Sequence, residues 1–231
     1  MEKIIYLVKA QDGLAGDGFR DLLKAEVSPK LLANGNVQKL RISVEDSDVA
    51  RAAGLKHDTL LPTADAVVSV FVNTANFQSE LVNILEPYTS RIEGYLVSES
   101  EVMVPPGKEG VRTVGTVQVC CLSKLDTLSQ EEFLSIWRDS HGPIACGIQS
   151  TFGYRQNLVI RKLTAQAQDH SAIVEEHFPA DAMDSPHVFF DAVGDDAKLQ
   201  KHVEEMTASC DRFIDNNRIN VVHMSEYTIK A

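Results

Sequence analysis

The chain is written twice, and that repeat constrains its fold more than any other feature. An ungapped offset of 114 residues sets Phe19 against Phe133, Leu23 against Trp137 and Pro29 against Pro143. The same offset sets "LRISV" (40–44) against "YRQNL" (154–158), so Arg41 meets Arg155. Further on, the second copy needs insertions, and "YLVSESEVM" (95–103) then falls against "VHMSEYTIK" (222–230). Each copy reads strand, helix, strand, strand, helix, strand. In the second copy the strands are expected near 114–123, 153–160, 186–193 and 219–229, with helices near 130–141 and 196–214. The last helix carries Leu199, Val203, Met206 and Phe213 at helical spacing.

Two β-α-β-β-α-β units predict an α+β protein of two ferredoxin-like repeats. Such a unit has helices on one sheet face and a bare apolar face opposite. Two units can bury those bare faces against each other, leaving a cavity between them. The first repeat is expected over 1–103 and the second over 114–231. Between them, 104–113 is a linker within a stretch holding Pro105, Pro106, Gly107 and Gly110.

Charge narrows the function. The formal net charge is −11, and no Lys/Arg cluster offers a nucleic-acid footprint. The longest apolar runs are too short to span a bilayer. The N-terminus lacks the apolar core and cleavage site of a signal peptide, so the expected location is cytoplasmic. The four cysteines, Cys120, Cys121, Cys146 and Cys210, show no metal-ligand spacing. They are expected as reduced thiols, with Cys120 and Cys121 on opposite faces of a strand.

The segment "LSQEEFLSIWRDSHGPIACGIQ" (128–149) is the most informative. Ser129 and Glu132 have the spacing of a capping box, with Leu128 and Phe133 at the staple positions. Phe133, Trp137 and His141 then follow at i, i+4, i+8, on one stripe. Pro143 marks the expected helix end. His141 can therefore be a C-terminal cap or a group lining a pocket. The repeat weakens the cap, because Val27 stands at the equivalent place in the first copy.

This segment resembles the signature helix of EthD-domain proteins, which end that helix in a similar His-x-Pro pattern. "DSPHVFFDAVGDDAKLQ" and "CDRFIDNNRINVVHMSEY" resemble later parts of the same domain, and residues 1–103 look like a degenerate second copy. The resemblance implies a pseudo-dimeric α+β barrel within one chain. EthD-like proteins include dehydratases and decarboxylases of aromatic or polyketide-like acids. Related barrels include cofactor-free monooxygenases, isomerases and haem-binding peroxidases, so fold alone does not choose the reaction.

The expected pocket lies in the barrel cavity. His141, His223 and Tyr154 are the candidate acid/base groups; Trp137, Phe133, His187 and Tyr227 are candidate substrate contacts. Val221, His223, Ser225 and Tyr227 alternate along the last strand, and His187, Phe189 and Asp191 along the expected third. Residues 161–184 have no first-copy counterpart of similar length and read as a lid or a surface excursion. His170, Glu175, Glu176 and His177 within it match no metal motif and read as a solvated face, so no metal site is expected. The expected activity is a cofactor-independent lyase, by decarboxylation or dehydration of a small aromatic or polyketide-like acid. The alternatives are a cofactor-free monooxygenase or isomerase, or a non-catalytic carrier of such a molecule. Association of whole barrels into a homo-oligomer stays open.

Overall fold

A computed structural model describes all residues, 1–231. The first half comprises β1 (Glu2–Ala10), helix α1 (17–33), β2 (Val37–Val44), a two-residue β3 (His57–Asp58), β4 (Ala66–Val72), α2 (Gln78–Leu85) and β5 (Thr89–Met103). The second comprises β6 (Thr116–Lys124), α3 (130–148), β7 (Gly153–Lys162), β8 (Ala172–Phe178), α4 (Pro186–Phe189), α5 (Asp196–Cys210) and β9 (Ile214–Lys230). The repeat holds in three dimensions, since β1 and β6 stand 114 residues apart at both ends.

The strands run β2-β4-β1-β5-β7-β8-β6-β9, and β9 pairs back onto β2. The two four-stranded sheets thus do more than face each other. Their edges hydrogen-bond, β5 to β7 and β2 to β9, into one closed antiparallel barrel with no open edge among its eight long strands. The 17-residue β9 makes this possible: its first part pairs with β6 and its last part with β2.

Three apolar clusters follow from the alternation of the strands. The lumen takes one face of both sheets: Ile5, Leu7, Val67 and Tyr95 meet Val117, Val119, Cys121, Ile173, Val222 and Met224. The opposite face of the first sheet packs under α1 and α2, and that of the second under α3 and α5. Cys120 and Cys121 do point opposite ways, and all four cysteines are unpaired.

The lumen is filled. Besides its apolar side chains it buries a charged network. Lys3 Nζ donates to Glu99 at 2.7 Å, Asn157 at 2.8 Å and Glu175 at 2.9 Å. Arg41 pairs with Glu99, and Arg155 with Glu101 and Glu226. Burial opposes the charge on Glu175, but Lys3, Arg41 and Arg155 outweigh it and hold the carboxyl below its usual range. Glu226 is likewise held down, to about 2, by His177 and Arg155 against the cost of burial. The void among the apolar lumen side chains measures ≈ 20 Å³, room for about one water, and a polar hollow of ≈ 210 Å³ opens beside Arg41, Glu99 and Arg155. The expected apolar ligand cavity between the sheets is therefore absent, because charge and side chains occupy it.

Further expectations are corrected. The third strand of the second half is Ala172–Phe178, not 186–193. "AIVEEHF" is buried at every position, so Glu175, Glu176 and His177 are no solvated face, and 161–184 is no lid. The apolar "PHVF" is instead a short helix, with Pro186 in its first turn and Ser185 Oγ accepting from Val188 N–H. The true excursion follows β8, over 179–195. The stripe on α5 is also shifted: Leu199 and Met206 are half-buried, His202 and Ser209 are buried, and Val203 faces outward.

Helix α3 does not stop at His141. It starts at the Ser129–Glu132 capping box and continues through a π-helical segment, Ser135–His141, into Gly142–Ile148. The first half does the same, with a π segment Leu23–Val27 ahead of Pro29. A proline lacks an N–H and crowds the preceding turn, and the wider π turn accommodates both.

Two outcomes follow. Separately expressed halves, 1–110 and 111–231, should aggregate alone and form a soluble complex when co-refolded, as read by size-exclusion chromatography. Lys3→Met leaves Glu175 short of its nearest cation and should lower unfolding stability by about 3–5 kcal/mol in urea melts.

Candidate active site

The cavity of the second half lies on the outer face of its sheet, beneath α3 and α5. It measures ≈ 220 Å³ and is walled largely by apolar side chains, among them Leu122, Val174, Phe189, Phe190 and Ile219. Its polar wall comprises Gln118, His141, Gln149, Tyr154 and Glu176, with Trp137 alongside. Alternation builds this wall: Gln118 and Cys120 on β6, Tyr154 on β7 and Val174 and Glu176 on β8 all point away from the lumen.

His141 is buried and neutral. Burial and the nearby Arg212 push its pKa down to about 4. Its Nδ1 lies 3.0 Å from Ser209 Oγ, and Ser209 Oγ accepts from Arg212 at 3.1 Å. With the Ser209 hydroxyl donating to Nδ1, the neutral ring carries its own proton on Nε2. Phe213 packs 4.8 Å from the imidazole, centroid to centroid, and holds the ring plane. In that tautomer His141 is a neutral N–H donor among the residues lining the cavity.

Tyr154 makes a second donor. Gln156 Nε2 donates to its hydroxyl oxygen at 3.1 Å, which leaves the phenolic proton available. Gln156 is positioned by the close approach of α3: a Cβ on Gly142 would stand 3.1 Å from its Nε2. Burial and the Glu176 carboxylate keep the phenol protonated.

Glu176 is the ionisable group that sequence reasoning missed. Burial raises its pKa to about 7, against a single hydrogen bond from Gln118 Nε2 at 3.2 Å. A carboxylate poised near neutrality in an apolar cavity is what proton transfer requires.

The other expected site residues fall elsewhere. Phe133 is buried behind Trp137, stacked on it at 5.4 Å. His223 shares the outer sheet face, but lies off the cavity, with Nδ1 3.3 Å from Thr116 Oγ1. His187 sits on α4, half-exposed, 2.8 Å from Asp196. Tyr227 belongs to the first-half core, where its hydroxyl donates to Asp46. His170 and His177 point to the lumen side and hold no ligand geometry with Glu175 and Glu176; no cluster of His, Cys, Asp and Glu here has metal-site spacing. His177 Nε2 approaches Glu226 Oε1 at 3.1 Å without hydrogen-bond alignment.

The repeat separates chemistry from packing. Strand pairing sets Ile4 opposite Val70 and Gln118 opposite Glu176, so Val70 and Glu176 are equivalent. The first-half counterparts of Gln118, Glu176, Tyr154, Trp137 and His141 are Ile4, Val70, Leu40, Leu23 and Val27. All five belong to one solid apolar core. The same architecture therefore needs none of these polar groups to fold, and only the second half trades core for cavity.

In comparison with known proteins, the model of the EthD domain family matches residues 125–217, within the second half. Comparison with curated proteins finds no significant match. Among solved structures, the chain is similar to an anthrone oxidase-like protein at 9% identity, with a TM-score of 0.54, covering 99% of this chain and 93% of that one. It is also similar to a protein assigned as a monooxygenase from Fusobacterium nucleatum, at 8% identity and a TM-score of 0.53, covering 99% and 92%. A similar assignment from Lactobacillus acidophilus gives 8%, 0.50, 100% and 97%. At these identities the likeness establishes the fold. No helix is long and apolar enough to cross a membrane.

The buried groups leave a signature in stability. Glu176 keeps its proton to about pH 7 in the native state but only to 4.5 when unfolded. The native state binds the extra proton, so this group's contribution falls as pH rises from about 4.5 to about 7. His141, His170 and His223 act oppositely: each drops from 6.5 to about 4, so stability is lost as pH falls through that window. Thermal melts of Glu176→Gln should match wild type near pH 4.5 and exceed it at pH 8, by up to about 3 kcal/mol.

Proposed function

We propose that the protein is a cofactor-independent enzyme that enolises a small, flat aromatic or polyketide-like ketone in the cavity under α3. The observation that carries this reading is Glu176, a carboxylate tuned to about 7 in an apolar wall whose other polar groups are neutral donors. Glu176 takes a proton from a CH₂ carbon that is conjugated with the substrate carbonyl, directly or through the aromatic rings. The electron pair moves onto the carbonyl oxygen, and the Nε2–H of His141 and the hydroxyl of Tyr154 stabilise that oxyanion. His141 is thus assigned as a donor, in place of the general acid/base expected from sequence, since an imidazole with a pKa near 4 holds no exchangeable charge at neutral pH. Trp137 supplies a flat apolar wall.

The same oxyanion stabilisation serves several reactions: the enolate can attack dioxygen or expel hydroxide, and loss of CO₂ from a β-keto acid arrives at the same enolate. Likeness to an anthrone oxidase-like protein and to assigned monooxygenases favours attack on dioxygen over decarboxylation or dehydration. The balance is complete without a reductant: a CH₂ carbon and O₂ give a hydroperoxide, Glu176 returns its proton, and the product is a new carbonyl and one water. Decarboxylation and dehydration proceed equally well without oxygen.

Turnover of an anthrone-type probe, followed by oxygen uptake and product absorbance, tests both points. Glu176→Gln should lower kcat by roughly 10²–10⁴ and remove a rising pH limb near 7. His141→Gln should lower kcat by roughly 10²–10³ with the pH limb kept. His141→Gln within tenfold of wild type sinks the donor role, and undiminished anaerobic turnover sinks the oxygenation.

A further inference from the structure

The cavity under α3 has a neighbour. A second hollow of ≈ 410 Å³ lies on the far side of Gln118, Phe189 and Phe190, and these three residues line both. The outer hollow is built by the two halves together. The first half supplies Arg51, Gly54 and Leu55 from the helical turn Ser47–Leu55; the excursion after β8 supplies Ala182, Met183 and Pro186.

This outer wall is fixed in place. Val49 and Ala52 pack on Met183, and Arg51 donates to both carboxylate oxygens of Asp184 at 2.8 and 2.9 Å. Phe189 stacks on Phe178 of β8 with centroids 4.3 Å apart, and its carbonyl accepts from Ser150 N–H at 3.0 Å. The Phe190 carbonyl lies 2.6 Å from His202 Nδ1. The excursion 179–195 is therefore tied to β8, to α5 and to the first half at once.

We propose that the two hollows are inner and outer chambers of one binding site, and that the natural ligand is an elongated, polycyclic or aryl-extended ketone spanning both. The proposal rests on the reading of the inner chamber as the reactive one. Three observations carry it beyond that reading. The inner chamber, at ≈ 220 Å³, lies below the volume of about 300–1,000 Å³ usual for ligand sites, while the outer one, nearly twice as large, does not. The outer lining is apolar where it meets the shared wall, through Leu55, Met183, Pro186 and the two phenylalanines, and its one cation is already paired with Asp184. That selects a neutral aromatic extension over an anionic tail. Finally, Gln118 lies at the junction and holds Glu176, so a ligand threading both chambers passes the residue that positions the base. The first half, which has no cavity of its own in the equivalent place, thereby acquires a role as the specificity wall for the second.

Gly54 offers a way to fill the outer chamber alone, since a Cβ there meets nothing within 4 Å. Titration calorimetry with 2-naphthol and 6-phenyl-2-naphthol compares a ligand for the inner chamber with one for both. Wild type should bind the extended probe about tenfold or more tightly than the short one, the worth of burying a further aromatic ring. Gly54→Phe should abolish that preference while leaving the short probe within about twofold, and Leu55→Phe should act alike. Equal binding of both probes by wild type, no binding of either, or equal weakening of both by Gly54→Phe overturns the proposal. Glu176→Gln separates the two readings: it should keep the preference for the extended probe even though it abolishes turnover, so loss of enzymatic activity in the assay above leaves the chamber test standing.

Discussion

The charged plug across the barrel lumen governs where everything else can go. Lys3, Arg41 and Arg155 face Glu99, Glu175 and Glu226 in a space with almost no water. Buried charges are tolerated only when partners and hydrogen bonds are complete. That demand fixes the register of the two halves, because Lys3 on β1 reaches Glu175 on β8 and Arg155 on β7 reaches Glu101 on β5. A shift of one residue in either closing pair would turn these side chains outward and leave their partners unpaired. The plug also takes up the apolar space between the sheets, and the apolar candidate cavity lies instead on the helical side of the second sheet.

The pairs Arg41–Glu99 and Arg155–Glu226 are the same ion pair repeated, at positions that the sequence alignment of the two copies already sets together. Symmetry thus persists in part of the lumen, though Lys3 and Glu175 answer to Val117 and Ser69, and is broken more widely outside it. Under α1 the outer face is a closed core; under α3 five of its positions have become Gln118, Glu176, Tyr154, Trp137 and His141. The π segment, by contrast, recurs in both helices. It answers the proline that follows it and cannot by itself mark the site, whatever its frequency near active sites elsewhere.

Much of this was legible in the sequence. The repeat, the order of elements, the capping box at Ser129 and the asymmetry at Val27 and His141 are all readable from residue types and spacing. The third strand was not, for a physical reason. "AIVEEHF" carries three consecutive ionisable residues, a pattern that normally means solvent, whereas here alternation sends Glu175 and His177 into the lumen and Glu176 into the cavity. "PHVFFDAV" looked the better strand because it is apolar, yet its serine cap and proline start a helical turn. With the third strand misplaced, Glu176 could not be compared with Val70, and the signal that singled out His141 passed it by. His223 and Tyr227 show the complementary limit. That they share a face of β9 was read correctly, but that face turns away from the lumen they were expected to line, and a strand of 17 residues crosses from one core into the other, so face alone does not say which neighbour waits there.

The division of labour has an energetic logic. Putting an ionisable carboxyl, a neutral imidazole and two amides under α3 replaces apolar packing with desolvated polar groups, each of which lowers the margin of stability. A stand-alone domain would bear that loss on its own core. Here the second half shares a lumen, two closing strand pairs and the charged plug with a partner whose corresponding core is intact. Because the partner is covalently attached, that support does not depend on protein concentration, as it would in a dimer of identical domains. Duplication thus permits divergence: once one copy holds the barrel closed, substitutions in the other that open a cavity can be tolerated. The same covalent link lets the first copy reach around with Arg51 and Leu55 to wall the hollow that adjoins that cavity, so the copy with the intact core also contributes surface beside the one that opened.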